Sequence, residues 1–196
     1  MKSSLLPEPL DFSSCRTYEE QEKIAYDYFC KNIRDNNFLL DGIKIKIKDT
    51  LACLGGKEAI FEHLCGFDKD IYEIEPCLNM DLKLECKSEC RDESIPANQR
   101  NLCLYRARTL PWFTAIMSLV GSSEFIKIWD AYDAKQRREK TKIRFTHEIA
   151  DYIIVLNKVK KGTYLSYELI TAYPMFKRGD RRKADAEYKE YIKSKK

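Results

Sequence analysis

The sequence predicts an α+β fold: a small antiparallel sheet of about four strands packed on helices, with an N-terminal α/β extension. Three observations carry this. Residues 142 to 176 read as three consecutive strand-forming runs joined by short turns, which favours antiparallel pairing. Helical patterns precede and follow those runs instead of alternating with them. Hydrophobic residues make up 44% of the 196-residue chain and aromatics 12%, enough for a sizeable core.

The first element is an amphipathic helix over 17 to 34, with Thr17 as N-cap, Glu20 completing a capping box, and Ile24, Tyr28 and Ile33 at roughly helical spacing. In FLLDGIKIKIKDT, Ile43, Ile45 and Ile47 alternate with Lys44, Lys46 and Lys48, the period of a half-buried strand. Those lysines suit phosphate contact or simply a solvated face. A short helix follows Gly55 and Gly56 and stops at Gly66; the paired glycines lack the rest of a phosphate-loop spacing. IYEIEP and MDLKLEC read as short strands, and a boundary is expected near Pro96 between an extension, 1 to 96, and a C-terminal domain, 97 to 196.

Within the second part, a helix places Leu102, Tyr105, Ala107 and Thr109 near its inner side. Pro111 then suits the first turn of another helix, which Gly121 closes. The strands KIRFTHE, ADYIIVLNKV and TYLSYELITAYPMF come next, with KKG as the turn between the last two. The chain ends in a helix capped by Asp180 that carries Ala184, Tyr188, Tyr191 and Ile192 on one side.

Charge and cysteine are unevenly spread. Residues 135 to 196 hold 18 Lys/Arg against 8 Asp/Glu, a net +10, and the preceding residues carry −6. A basic field of that kind draws polyanions, nucleic acid above all, by releasing counterions. All eight cysteines precede residue 104. With no apolar run long enough for a signal peptide or a membrane span, they are expected to be reduced thiols in a cytoplasmic protein. Cys77, Cys86, Cys90 and Cys103 lack the tight C-x2-C pairs of a zinc site, so no metal or cofactor is expected; a zinc-dependent adaptor is the reading this sets aside.

Over residues 100 to 193, the Arg-Ala and Leu-Pro-Trp of Arg106 to Trp112, the Asp-Tyr and apolar strand of Asp151 to Leu156, and Thr171-Ala172-Tyr173-Pro174 before a basic helix occur in order. In that order and spacing the chain resembles phage-associated nucleases of the barnase, EndoU, colicin and RelE-like group. The resemblance implies an antiparallel sheet whose concave face binds RNA. It also implies cleavage by the substrate's own 2′-hydroxyl, leaving a 2′,3′-cyclic phosphate without a metal. The partners it implies are RNA, a transfer RNA or another structured RNA, and a cognate inhibitor protein; delivery into a target cell from a phage or mobile element would fit. No membrane partner is expected.

Such a reaction needs a base, an acid and fixed positive charge. The expected catalytic set is Arg144, His147, Thr171 and Arg108, with Lys142, Tyr173, Arg178, Arg181 and Arg182 binding substrate. Imidazole suits proton transfer near neutral pH, but His147 shares strand parity with Ile143 and Phe145 and equally suits the core. Arg144 and Lys142 have the opposite parity, towards an open cleft, where Arg144 is either a phosphate stabiliser or a solvated strand residue. Leu165, Tyr167, Leu169, Thr171 and Tyr173 would share one face of the last strand; Thr171 matches the family's threonine, and Tyr173 suits base stacking or core packing. Arg108 would reach over the sheet edge, Trp112 would be core, and the three arginines near the last helix's start sit where anions are favoured. Unlike the EndoU branch, the region has no paired histidines. The sequence therefore predicts an endoribonuclease of toxin or effector type, with a non-catalytic RNA-binding or phage-associated interaction module as the alternative.

Overall fold

The hydrophobic alternation of the C-terminal half closes into a six-stranded mixed sheet in the order β1-β2-β8-β7-β6-β5. The computed structural model describes residues 5–48, 57–68, 100–148, 150–175 and 178–195. Its strands are β1 (Leu39–Leu40), β2 (Ile43–Lys46), β5 (Ile126–Asp133), β6 (Arg138–His147), β7 (Ala150–Lys161) and β8 (Tyr164–Pro174); β3 (Gly66–Asp68) and β4 (Arg100–Leu102) form a separate antiparallel pair. The helices are α1 (Tyr18–Phe29), continuing as a π-helical turn over Cys30–Arg34, then α2 (Ala59–Cys65), α3 (Leu104–Arg108), α4 (Leu110–Leu119) and α5 (Arg178–Ser194). The class is α+β, as the sequence predicts.

The sheet is larger than the expected four strands for two reasons. FIKIWDAY forms β5, pairing antiparallel with β6 from Ile126↔Phe145 to Asp133↔Arg138. The N-terminal β2 joins the other side, running parallel to β8 with Ile45↔Tyr167 and Lys46↔Glu168 in register. The expected division at residue 96 falls outside the described residues. On either side of it, Leu6, Phe29, Ile45, Phe61, Phe113, Ile154 and Leu169 belong to one apolar core.

Local signals explain the helices. Thr17 accepts the Glu20 N–H while the Glu20 carboxylate accepts the Thr17 N–H, so the expected capping box forms. Pro111 sits in the first turn of α4, where its missing N–H costs nothing. Trp112 is buried, and its indole N–H donates to the Pro7 carbonyl, tying the N-terminal segment to α4. In α5, Ala184 is buried and Tyr188 and Tyr191 pack inward, but Ile192 is exposed. IYEIEP, MDLKLEC, Cys77, Cys86 and Cys90 lie outside the described residues.

The two sheet faces bury different cores. α1, α2, α3 and α4 cover one face, which carries Ile143, Phe145, Tyr152, Ile154, Leu156 and Leu169. α5 packs on the other over Trp129, Ile153, Val155 and Met175. Covered on both sides, β7 is buried at every residue from Ala150 to Asn157, which is why ADYIIVLN reads as a continuous run.

One irregularity sets which side chains reach which face. β7 and β8 pair Leu156↔Leu169 and then Val155↔Thr171, so Ile170 is an extra residue, a β-bulge. Leu165, Tyr167 and Leu169 face the large core, as expected. Past the bulge the parity changes, and Thr171 and Tyr173 join the face of Tyr164, Ser166 and Glu168 instead.

Candidate functional site

β2 pairs with β8 only at Tyr167 and Glu168, and α2 lies beside the part of β8 that follows. At that edge three elements converge. α2 contributes the main-chain carbonyl of His63 from its last turn, α3 contributes Arg106, and β8 contributes Thr171 and Tyr173. α3 is a single turn between Cys103 and Thr109; the Thr109 hydroxyl and N–H both donate to the Arg106 carbonyl and fix the corner into α4.

The Arg106 guanidinium is buried at this junction. Its Nη1 donates to the Gly66 carbonyl at 2.5 Å, and its Nη2 donates to the His63 carbonyl at 2.6 Å and to Thr171 Oγ1 at 3.0 Å. The cation lies 5.0 Å from the centre of the Tyr173 ring, within cation–π range. Burial pulls the Arg106 pKa below the ordinary arginine value, although arginine still keeps its proton at any physiological pH. Thr171 Oγ1 completes the arrangement by donating to the same His63 carbonyl at 2.9 Å, so the hydroxyl is oriented on both its donor and acceptor sides. Burial also pushes the Tyr173 phenol up, with Asp180 and Glu187 of α5 adding to the shift. It stays protonated at neutral pH.

The remaining expected residues are distributed elsewhere. Arg144 is not in an open cleft. It is 3% exposed beneath α5, where Nε and Nη2 grip the Asp151 carboxylate at 2.8 and 2.6 Å and Nη1 meets Asp185 at 2.7 Å. The bidentate Asp151 raises its pKa against the opposing effect of burial. Lys142, one pleat along, pairs with Glu187 of α5, which also takes the Trp129 indole N–H at 3.4 Å. The expected parity of these two residues was right, but α5 closes the face that they occupy.

Arg108 does not reach the sheet. Its Nε donates to the Leu10 carbonyl at 2.9 Å, and the Leu10 N–H donates back to the Arg108 carbonyl, so this residue clips the N-terminal segment to α3. His147 follows its core parity, edge-on to Phe125 at 4.8 Å and stacked on Phe145 at 6.2 Å. Of the four expected catalytic residues, only Thr171 is at the junction, together with Tyr173. Arg178, Arg181 and Arg182 occupy the first turns of α5, the end of the helix whose Asp180 influences Tyr173.

His63 and Arg106 were not assigned roles from sequence. Arg106 lies inside the Arg-Ala motif, and His63 is one of only two histidines in the chain, so a search for proton-transfer groups over the whole length would have met it.

Among the described residues, no group of His, Cys, Asp and Glu has the arrangement to hold a metal ion, and no helix is long and apolar enough to cross a membrane. Cys15, Cys30, Cys65 and Cys103 are free thiols, and burial raises the Cys65 pKa far above the ordinary thiol value. No family model, no curated protein and no solved structure matches this chain.

Proposed function

We propose that the protein is an endoribonuclease and that its reaction centre is the junction of α2, α3 and β8, not the Arg144 and His147 pair. The observation that carries this is the convergence of a buried arginine, an oriented threonine hydroxyl and a protonated tyrosine at the end of β8 beside α2, with the arginine and the threonine both bonded to the main-chain carbonyl of half-buried His63. With the imidazole of His63 as base, this set supplies the group types that metal-independent transesterification needs. The basic balance of residues 135 to 196 supplies the attraction for a polyanion.

In this reading His63 takes the proton of the 2′-hydroxyl as the 2′ oxygen attacks phosphorus. The bond from phosphorus to the 5′ oxygen breaks, leaving a 2′,3′-cyclic phosphate. Tyr173 supplies the proton that the departing 5′ oxygen needs. Arg106 contributes fixed positive charge from a site of low dielectric, where it acts more strongly than in water. Thr171 is a positioning residue, holding Arg106 and the His63 backbone in one arrangement.

Total RNA incubated with the purified protein in EDTA tests the reading. Cleavage products ending in cyclic phosphate are expected, and Arg106→Lys and Tyr173→Phe should each slow their formation. Intact RNA, under conditions in which a control ribonuclease is active, would refute it.

A further inference from the structure

The bulge at Ile170 has a consequence outside the reaction centre, because it puts Thr171 and Tyr173 on the same sheet face as Tyr164, Ser166 and Glu168. Tyr164 begins β8 at the tip of the β7–β8 hairpin and is 50% exposed, one of the few large exposed apolar side chains among the described residues. Lys46 of β2 donates its Nζ to the Tyr164 hydroxyl at 2.9 Å and lies 5.7 Å from the ring centre. Lys161 is directly opposite Tyr164 in the ladder and is exposed. The carboxylate nearest in register, Glu168, is neutralised by Lys48 at 3.0 Å and takes the Asn157 amide at 3.5 Å. An exposed aromatic ring is thus flanked by two ammonium groups.

Thr171 is seven residue steps along β8 from Tyr164, at most about 23 Å at a strand's rise per residue. A few nucleotides of extended single strand cover that span. We infer that Tyr164, Lys46 and Lys161 form a second subsite that binds single-stranded RNA, with a base stacked on Tyr164 and the flanking phosphates on the two lysines. A ring flanked by cations is how proteins hold single strands without reading sequence, whereas the bases of a duplex are already stacked on one another and offer no free face. This inference rests on the endoribonuclease reading for the direction of the strand towards Thr171, but the subsite binds whether or not cleavage follows.

The test uses the full chain and a short fluorescent 2′-O-methyl oligoribonucleotide, which lacks the attacking hydroxyl and therefore reports binding alone. The single strand should bind more tightly than the duplex of the same sequence. Tyr164→Ala should weaken it on the order of tenfold, the loss typical of one stacked base, while Tyr164→Phe keeps the ring and stays close to wild type. Lys46→Ala and Lys161→Ala should each lower the slope of log affinity against log salt by about 0.7, the value for one phosphate contact on a single strand. Tyr164→Ala binding as tightly as wild type, or a duplex binding as tightly as the single strand, overturns the subsite and leaves the cleavage reading standing. The reverse pattern, a Tyr164-dependent single-strand affinity with no cleavage of unmodified RNA, removes the nuclease and keeps the subsite.

Discussion

Replacing Arg144 with methionine separates a sealed ion pair from a substrate-binding cation. In the structure Asp151 is 7% exposed and receives both of its strong hydrogen bonds from Arg144. Arg144→Met strands that carboxylate under α5, and removing one partner of a buried pair typically costs about 3 to 5 kcal/mol. Asp185 contributes little to the loss, since its side chain is half exposed and regains water. For a chain of this size that cost lowers Tm by about 6 to 20 °C. The double variant Arg144→Met with Asp151→Leu removes the stranded charge and should recover most of the loss, because well-packed apolar residues replace buried pairs at little net cost. Thermal and urea unfolding of wild type, single and double variants measure this. If Arg144→Met melts with the wild type yet no longer cleaves RNA, the guanidinium is available to substrate and the buried-pair account is wrong.

Other perturbations test the fold at separate points. Glu58 is pushed towards a higher pKa by burial, but hydrogen bonds from Arg34 and Tyr26 outweigh this and hold it below the ordinary carboxylate value. Its contribution is therefore complete above the unfolded value of about 4.3 and is lost as pH falls through the lower folded value. Glu58→Gln should flatten the fall of Tm below about pH 4.5, and an unchanged acid limb would count against the pair. Deleting Ile170 should be tolerated, because the ladder then runs Leu169 to Thr171 without changing any residue's face. Deleting Ile154 of β7, with no bulge to absorb it, should unfold the protein, and circular dichroism showing equal damage from both would contradict the register. Thr17→Ala removes half of the capping box and should cost about 1 kcal/mol in urea unfolding; no measurable change would mean that α1 does not depend on its cap.

Much of the secondary structure was readable because its signals are local. The Thr17 and Glu20 box, Pro111 at the start of α4, and the runs that became β6, β7 and β8 each depend on residues a few positions apart. β5 was hidden because it contributes to both faces of the sheet, with Ile126 and Ile128 on one and Trp129 on the other, so no clean alternation marks it. The candidate site was less legible, for reasons of range. The residue that closes over Arg144 is Asp185, 41 positions later, and the carbonyl that orients Thr171 belongs to His63, 108 positions earlier. The bulge at Ile170 carries no glycine or other local mark, so simple alternation placed Thr171 and Tyr173 on the wrong face.

The chain has two histidines, His63 and His147, and which of them serves the reaction decides the mechanism. His63→Ala and His147→Ala, each first shown to be folded by thermal melting, can be compared for cyclic-phosphate formation from total RNA in EDTA. With His63 as the base, His63→Ala abolishes product while His147→Ala, which loses ring contacts with Phe125 and Phe145, retains it. Loss of product in His147→Ala with activity kept in His63→Ala would contradict it.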